Sequence, residues 1–88
     1  MARYEFNESE IGTMGAAAQA DILFELGMMY ATGRDCDMDL IAAHKWFNLA
    51  ALRGNPEAAY HRQQIAEELS DVEIAMAQRD AREWLGTH

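Results

Sequence analysis

Helix stop and start signals divide this chain into four segments of helix length. Gly33 and Gly54 each follow a run of helix-forming residues, and glycine is common just beyond a helix end. Asn55 and Pro56 then supply an N-cap and a first helical residue, because proline there gives up only an amide without a helical partner. The predicted helices span residues 16–31, a segment from Asp37 or Asp39 to 53, residues 56–69 and residues 70–85.

The fourth segment opens on a capping box, in which Ser70 and Glu73 each satisfy a backbone amide of the other. Apolar residues recur at helical spacing in every segment, and short turns favour antiparallel neighbours. The sequence therefore predicts an all-α fold of four helices, arranged as two stacked antiparallel helical hairpins, a short α-solenoid. Residues 1–15 are expected to form a flexible or loosely docked segment, and residues 16–88 the helical domain.

The charge balance restricts the class of partner. The net charge is -8 and the sequence pI is about 4.6. A field of this sign repels phosphate backbones and anionic lipid, so we expect neither nucleic-acid nor membrane binding, whereas a basic protein surface stays open. Cys36 is the single cysteine, and the sequence opens on no secretory leader. Both features favour the cytoplasm.

One stretch of about forty residues carries a recognisable pattern. It runs through a leucine–glycine pair, an aromatic residue, a loop glycine, a helix-capping aspartate, a tryptophan and a series of alanines. The matching positions are Leu26, Gly27, Tyr30, Gly33, Asp39, Ala43, Trp46, Ala50, Ala51, Gly54 and Ala58.

This pattern resembles the Sel1-like repeat, a helical hairpin related to tetratricopeptide repeats. The resemblance implies an adaptor fold for protein–protein contacts, mostly bacterial at this size, without catalytic residues. We expect Gly27 to permit close helix packing, and Tyr30 and Trp46 to wedge the hairpin. The family loop usually reads G-x-G-V, whereas here residues 33–36 read Gly-Arg-Asp-Cys, which suggests a slightly different loop path. Residues 55–85 resemble a terminal capping hairpin.

One repeat and a cap are fewer than the roughly three units that a solenoid needs, so another surface should cover the exposed ends. The first helix is apolar nearly all round, and Phe24 and Met28 lie opposite its main stripe. Residues 1–15, a second copy in a homodimer, or a protein partner are the candidates for covering that face. Leu49 and Leu52 lie off the main apolar stripe of the second helix, and they suggest more weakly that this helix also has a second apolar face for a partner.

An alternative function uses the C-terminal end. Gly86 is expected to close the last helix and leave a short tail. A free tail is readily captured by a partner's groove. The chain would then be a stress-linked regulator or substrate of an ATP-dependent protease or chaperone. The residues predicted for this contact are Leu85, Gly86, Thr87 and His88.

No residue pattern predicts catalysis, a metal or a cofactor. His44 and His61 are expected on the surface, since no histidine pair has the i, i+4 spacing of a helical metal site. Asp35, Asp37 and Asp39 alternate as in a calcium loop, but the loop glycine and the bidentate glutamate are missing. A run of acidic residues near the third turn is either a solvated face or a contact for a basic partner. The run consists of Glu67, Glu68, Asp71 and Glu73.

Overall fold

A computed structural model describes residues 15–87 of the chain. It contains four α-helices, with no strand among these residues: α1 Ala16–Thr32, α2 Leu40–Leu52, α3 Pro56–Ala66 and α4 Asp71–Thr87. The prediction of an all-α fold with four helices is confirmed. No helix in this part of the chain is both long enough and apolar enough to cross a membrane. The predicted N-terminal segment, apart from Gly15, and His88 lie outside the described residues.

The predicted helix ends are set by local hydrogen bonds. Gly33 has a φ of +74°, the left-handed conformation that glycine adopts easily, and its N–H donates to the carbonyl of Met29 at 2.8 Å. The side chain of Asp39, and not that of Asp37, caps α2 by accepting from the Ala42 N–H at 3.1 Å. Such a cap stabilises a helix by about 1 kcal/mol.

The two later helix starts also follow the prediction. Asn55 accepts from the Ala58 N–H at 3.0 Å. In the capping box, the Glu73 N–H donates to the Ser70 hydroxyl at 3.1 Å and the Ser70 N–H donates to the Glu73 carboxylate at 2.9 Å. The reciprocal pair satisfies two amides that otherwise lack a helical partner. It fixes where α4 begins.

The central element is α2, which packs extensively against each of the other three helices. The helices α3 and α4 pack on α2 more closely than on each other. The second pair is therefore an open hairpin held by a shared neighbour. The residues of the hydrophobic core are Leu23, Leu26, Met29, Ala43, Trp46, Phe47, Leu49, Ala50, Ala58, Ile65, Ala81 and Trp84.

The closest helix contact joins α1 to α2. A Cβ atom placed on Gly27 would lie 2.5 Å from two ring carbons of Phe47, which is fully buried. Near one end of this antiparallel pair, the Arg53 Nε–H donates to Gln19 Oε1 at 2.9 Å. Only a residue without a Cβ allows the Phe47 ring to reach the α1 backbone. The expected role of Gly27 in close helix packing is confirmed.

Aromatic rings join α2 to its other neighbours. Trp46 meets Trp84 of α4 edge to face, with ring centroids 5.8 Å apart. Phe47 stacks on His61 of α3 at 5.3 Å. Such pairs add about 0.5–1.5 kcal/mol beyond their buried area. These rings attach α3 and α4 to the same central helix.

Four sequence predictions about exposed residues or helix ends are wrong. His44 is only 4% exposed and Leu49 is fully buried, because α3 and α4 cover faces of α2 that lie outside its main apolar stripe. Leu52, by contrast, is 59% exposed. Gly86 does not end α4, which continues to Thr87 because Gly86 keeps a negative φ. The third helix ends at Ala66 and not near residue 69.

The close contact at Gly27 predicts that Gly27→Ala destabilises the protein. Alanine gains about 1 kcal/mol in helix propensity, but overpacking against a buried ring costs about 1–3 kcal/mol. We expect a net loss of about 1 kcal/mol in the free energy of unfolding, measured by urea denaturation. Gly86→Ala is the matched control, because nothing lies within 4 Å of its added Cβ. An equal or greater stability of Gly27→Ala would contradict the packing argument.

Candidate partner-binding groove

A surface groove of 520 Å³ lies where the ends of four helices meet. It is bordered by the last turn of α1, the loop and first turn of α2, the α3–α4 turn and the first turn of α4. The groove is shallow and open to solvent along one side. Its lining residues are Tyr30, Asp37, Met38, Asp39, Leu40, Ile41, Glu68, Leu69 and Glu73.

The floor and one wall of the groove are apolar. Leu40 and Leu69 are half-buried and pack against the hydrophobic core. Met38 lines the same groove and is 64% exposed. A methionine in this position offers a flexible, polarisable side chain that adapts to an apolar partner group.

The loop that carries Met38 is tied to the end of α1. The Asp39 N–H donates to the Tyr30 carbonyl at 2.9 Å, and the Arg34 N–H donates to the Met29 carbonyl at 3.1 Å. The Cys36 thiol lies 3.5 Å from the same Met29 carbonyl. These contacts hold both ends of the loop and fix where Met38 stands.

Four carboxylates border the groove, and no basic residue among residues 15–87 lines it. Asp39 and Glu73 are engaged in the caps of α2 and α4. Asp37 and Glu68 are exposed, and neither carboxylate makes a hydrogen bond or ion pair within residues 15–87. The groove therefore presents two unpaired carboxylates beside its apolar floor.

The helix ends at the groove do not cancel this charge. The N-termini of α2 and α4 each contribute about half a positive charge, and the C-termini of α1 and α3 each contribute about half a negative charge. Because these contributions cancel one another, the four carboxylates leave the groove negative by about four charges. The local field has the same sign as the net charge of the chain.

The predicted partner residues of α1 lie on another face. The Phe24 ring is half-buried and packs on Phe47 at 5.6 Å and edge-on to His61 of α3 at 5.3 Å. Met28 is half-buried and packs against the core. The helix α3 therefore buries part of the Phe24 ring, which the sequence pattern does not predict. The structure does not bring Phe24 and Met28 into the groove.

The predicted C-terminal contact residues belong to α4. Leu85 is half-buried and packs against the core, and the Thr87 hydroxyl donates to the Trp84 carbonyl at 3.0 Å. Gly86 is exposed. The C-terminal segment is helical as far as Thr87. A role for these residues in contacts with a protease or chaperone stays a prediction.

The one histidine that is buried among residues 15–87 is placed for packing. His44 lies in α2 with Nδ1 buried and without a hydrogen-bond partner. Burial lowers the pKa of His44 below its usual 6.5, and the nearby Arg62 guanidinium lowers it further. The Arg62 guanidinium donates to Asn48 Oδ1 at 2.7 Å. Among the described residues, no group of three potential ligands is arranged to hold a metal ion.

The groove as a set was not predicted from the sequence. Its residues come from positions as distant as Tyr30 and Glu73, and no local pattern connects them. One signal was present, because Glu68 and Glu73 belong to the acidic run for which a basic partner was one of two interpretations. The apolar floor beside that run depends on how α2 and the α3–α4 turn meet.

Comparisons of the chain with protein-family profiles, with curated proteins and with solved structures found no match. The functional argument therefore depends on the geometry described above.

The environment of His44 predicts a pH dependence of stability. Its folded-state pKa lies below 6.5, so the neutral form is favoured in the folded protein. As the pH falls through about 6.5, the unfolded chain gains a proton that the folded chain resists, and stability decreases. One such proton gives a slope of at most about 1.4 kcal/mol per pH unit.

Urea denaturation between neutral and mildly acidic pH measures this slope. His44→Leu should remove the part of it that begins near pH 6.5, leaving the carboxylate titrations at lower pH. The same slope in the variant and in the parent protein would show that another group is responsible.

Proposed function

We propose that this chain is a small non-catalytic adaptor that binds a protein partner through the groove at the helix ends. The observation that carries the proposal is an apolar floor with an exposed methionine, bordered by unpaired carboxylates. Exposed apolar surface rimmed by polar groups is characteristic of interaction sites. The surrounding loop is already held in place by hydrogen bonds, so binding does not require the site to fold.

The resemblance to Sel1-like repeats supports the same proposal. Gly27 provides the close α1–α2 approach that the repeat pattern implies. Asp35 stands where the pattern usually has its second loop glycine, and its φ of +62° lies in the left-handed region that glycine favours. Aspartate tolerates this conformation better than most residues. The loop thus keeps a glycine-like backbone at that position.

A small molecule fits the groove less well than a protein segment. Sites for small molecules commonly bury 70–90% of the ligand surface, whereas this groove is open along one side. Its described neighbourhood offers carboxylates but no arrangement of nucleophile, base and oxyanion donors.

The cytoplasm is the compartment we propose, because Cys36 has no second cysteine to pair with.

A pair of substitutions at the two ends of α2 tests the proposal. Met38 and Leu52 are similarly exposed apolar residues, but only Met38 lines the groove. Immobilised parent protein, Met38→Lys and Leu52→Lys are exposed to lysate of cells that make the protein, and retained proteins are quantified. We expect Met38→Lys to retain at least about tenfold less of a specific partner than the parent protein, and Leu52→Lys to retain the same amount. Interface residues at hot spots contribute about 1.4 kcal/mol or more, which corresponds to a tenfold change in affinity.

Circular dichroism verifies that both variants keep their helices. Equal retention by all three proteins would exclude the groove. A third variant, Met28→Lys, separates the groove from the α1 face, because loss of the partner in that variant alone would assign binding to Phe24 and Met28.

A further inference from the structure

We infer that the groove takes a basic, amphipathic segment of another protein, in which a large apolar side chain is flanked by lysine or arginine. This inference rests on the proposed function and specifies the chemistry of the partner. Its basis is the juxtaposition of an apolar floor at Leu40 and Leu69 with the unpaired carboxylates of Asp37 and Glu68. The two features recognise different parts of one ligand.

The apolar part of the ligand fits the floor. Met38 is the most exposed apolar residue in the groove, and its side chain can close over a group that rests on Leu40 and Leu69. Burial of one large apolar side chain tightens binding by about tenfold to 160-fold. That range is too small for a stable complex alone, so a second source of affinity is needed.

The carboxylates supply the second source and select its sign. Asp37 precedes α2 and Glu68 precedes α4, so they approach the floor from different segments of the chain. An exposed ion pair tightens binding by about 1.4-fold to fivefold, and several around one anchor add selectivity against acidic segments. Arginine and lysine side chains are long enough to lie along the apolar wall while their charged ends reach the rim.

Charge also disfavours the two occupants that this chain itself could provide. A second copy carries a net charge of -8 and is repelled by a negative groove. Residues 1–14 contain three glutamates and one arginine, so they lack the required basic flanks. A nucleic acid is repelled for the same reason. The remaining occupant is a basic segment of a different protein.

A titration with defined peptides tests the inference. The isotopically labelled protein is titrated with a short synthetic peptide that carries leucines on one helical face and arginines beside them. The matched peptide has glutamate in place of every arginine. We expect the arginine peptide alone to shift the backbone amide resonances of the groove, with an affinity that falls as salt is added.

Charge-reversal variants locate the contact. Glu68 lines the groove, and Glu68→Lys reverses its charge. Glu83→Lys makes the same charge change on an exposed residue in the last turns of α4, away from the groove lining. We expect Glu68→Lys, and equally Asp37→Lys, to weaken binding of the arginine peptide by about threefold to tenfold. Glu83→Lys should change it by less than about twofold.

The outcomes separate this inference from the proposed function. Equal weakening by Glu68→Lys and Glu83→Lys would show diffuse attraction to an acidic protein and would overturn the inference. Tighter binding of a peptide with serines in place of the arginines would overturn the inference too. In either case, the adaptor function would still be supported if the Met38→Lys variant failed to retain a partner that the parent protein retains. If Met38→Lys retains every partner, the groove fails as the binding site of the adaptor, whatever the peptides do.

Discussion

The contact between the Phe47 ring and the backbone of Gly27 determines how the rest of the structure is arranged. Because the ring is fully buried against α1, α2 approaches close enough for the two helices to share one core. The same ring stacks on His61, so α3 is positioned by the residue that positions α1. Trp46, one residue earlier, extends this order to α4 through Trp84. A single helix thus carries the contacts that hold three others.

This arrangement brings the ends of four helices together, and the groove is the result. Helix ends contain backbone groups without helical partners, and Asp39 and Glu73 satisfy such groups at the starts of α2 and α4. Capping therefore places two carboxylates beside the apolar first turn of α2. Asp37 and Glu68 add charge that no cap uses. The acidic, apolar character of the groove follows from the way in which the helices start.

The features of the fold that are local in sequence could be predicted, and those that depend on tertiary contacts could not. Asn55 and Ser70 mark helix starts because their side chains bond amides only three residues away. His44 was assigned to the surface because periodicity does not reveal that α3 packs on its side of α2. Gly86 was assigned to a helix end, although a glycine stops a helix only where its backbone turns left-handed. The groove lay beyond sequence reasoning because Tyr30 and Glu68 meet only through α2.

The loop between α1 and α2 has a kinetic consequence. Its two ends are bonded to the last turn of α1, so the backbone that carries Met38 is held in place before any partner arrives. A site of this kind spends little conformational entropy on association, and no slow rearrangement precedes the encounter. The rate constant for association is then governed by diffusion and by long-range attraction between opposite charges. Such a complex forms rapidly at low ionic strength, and its lifetime is set mainly by the apolar anchor.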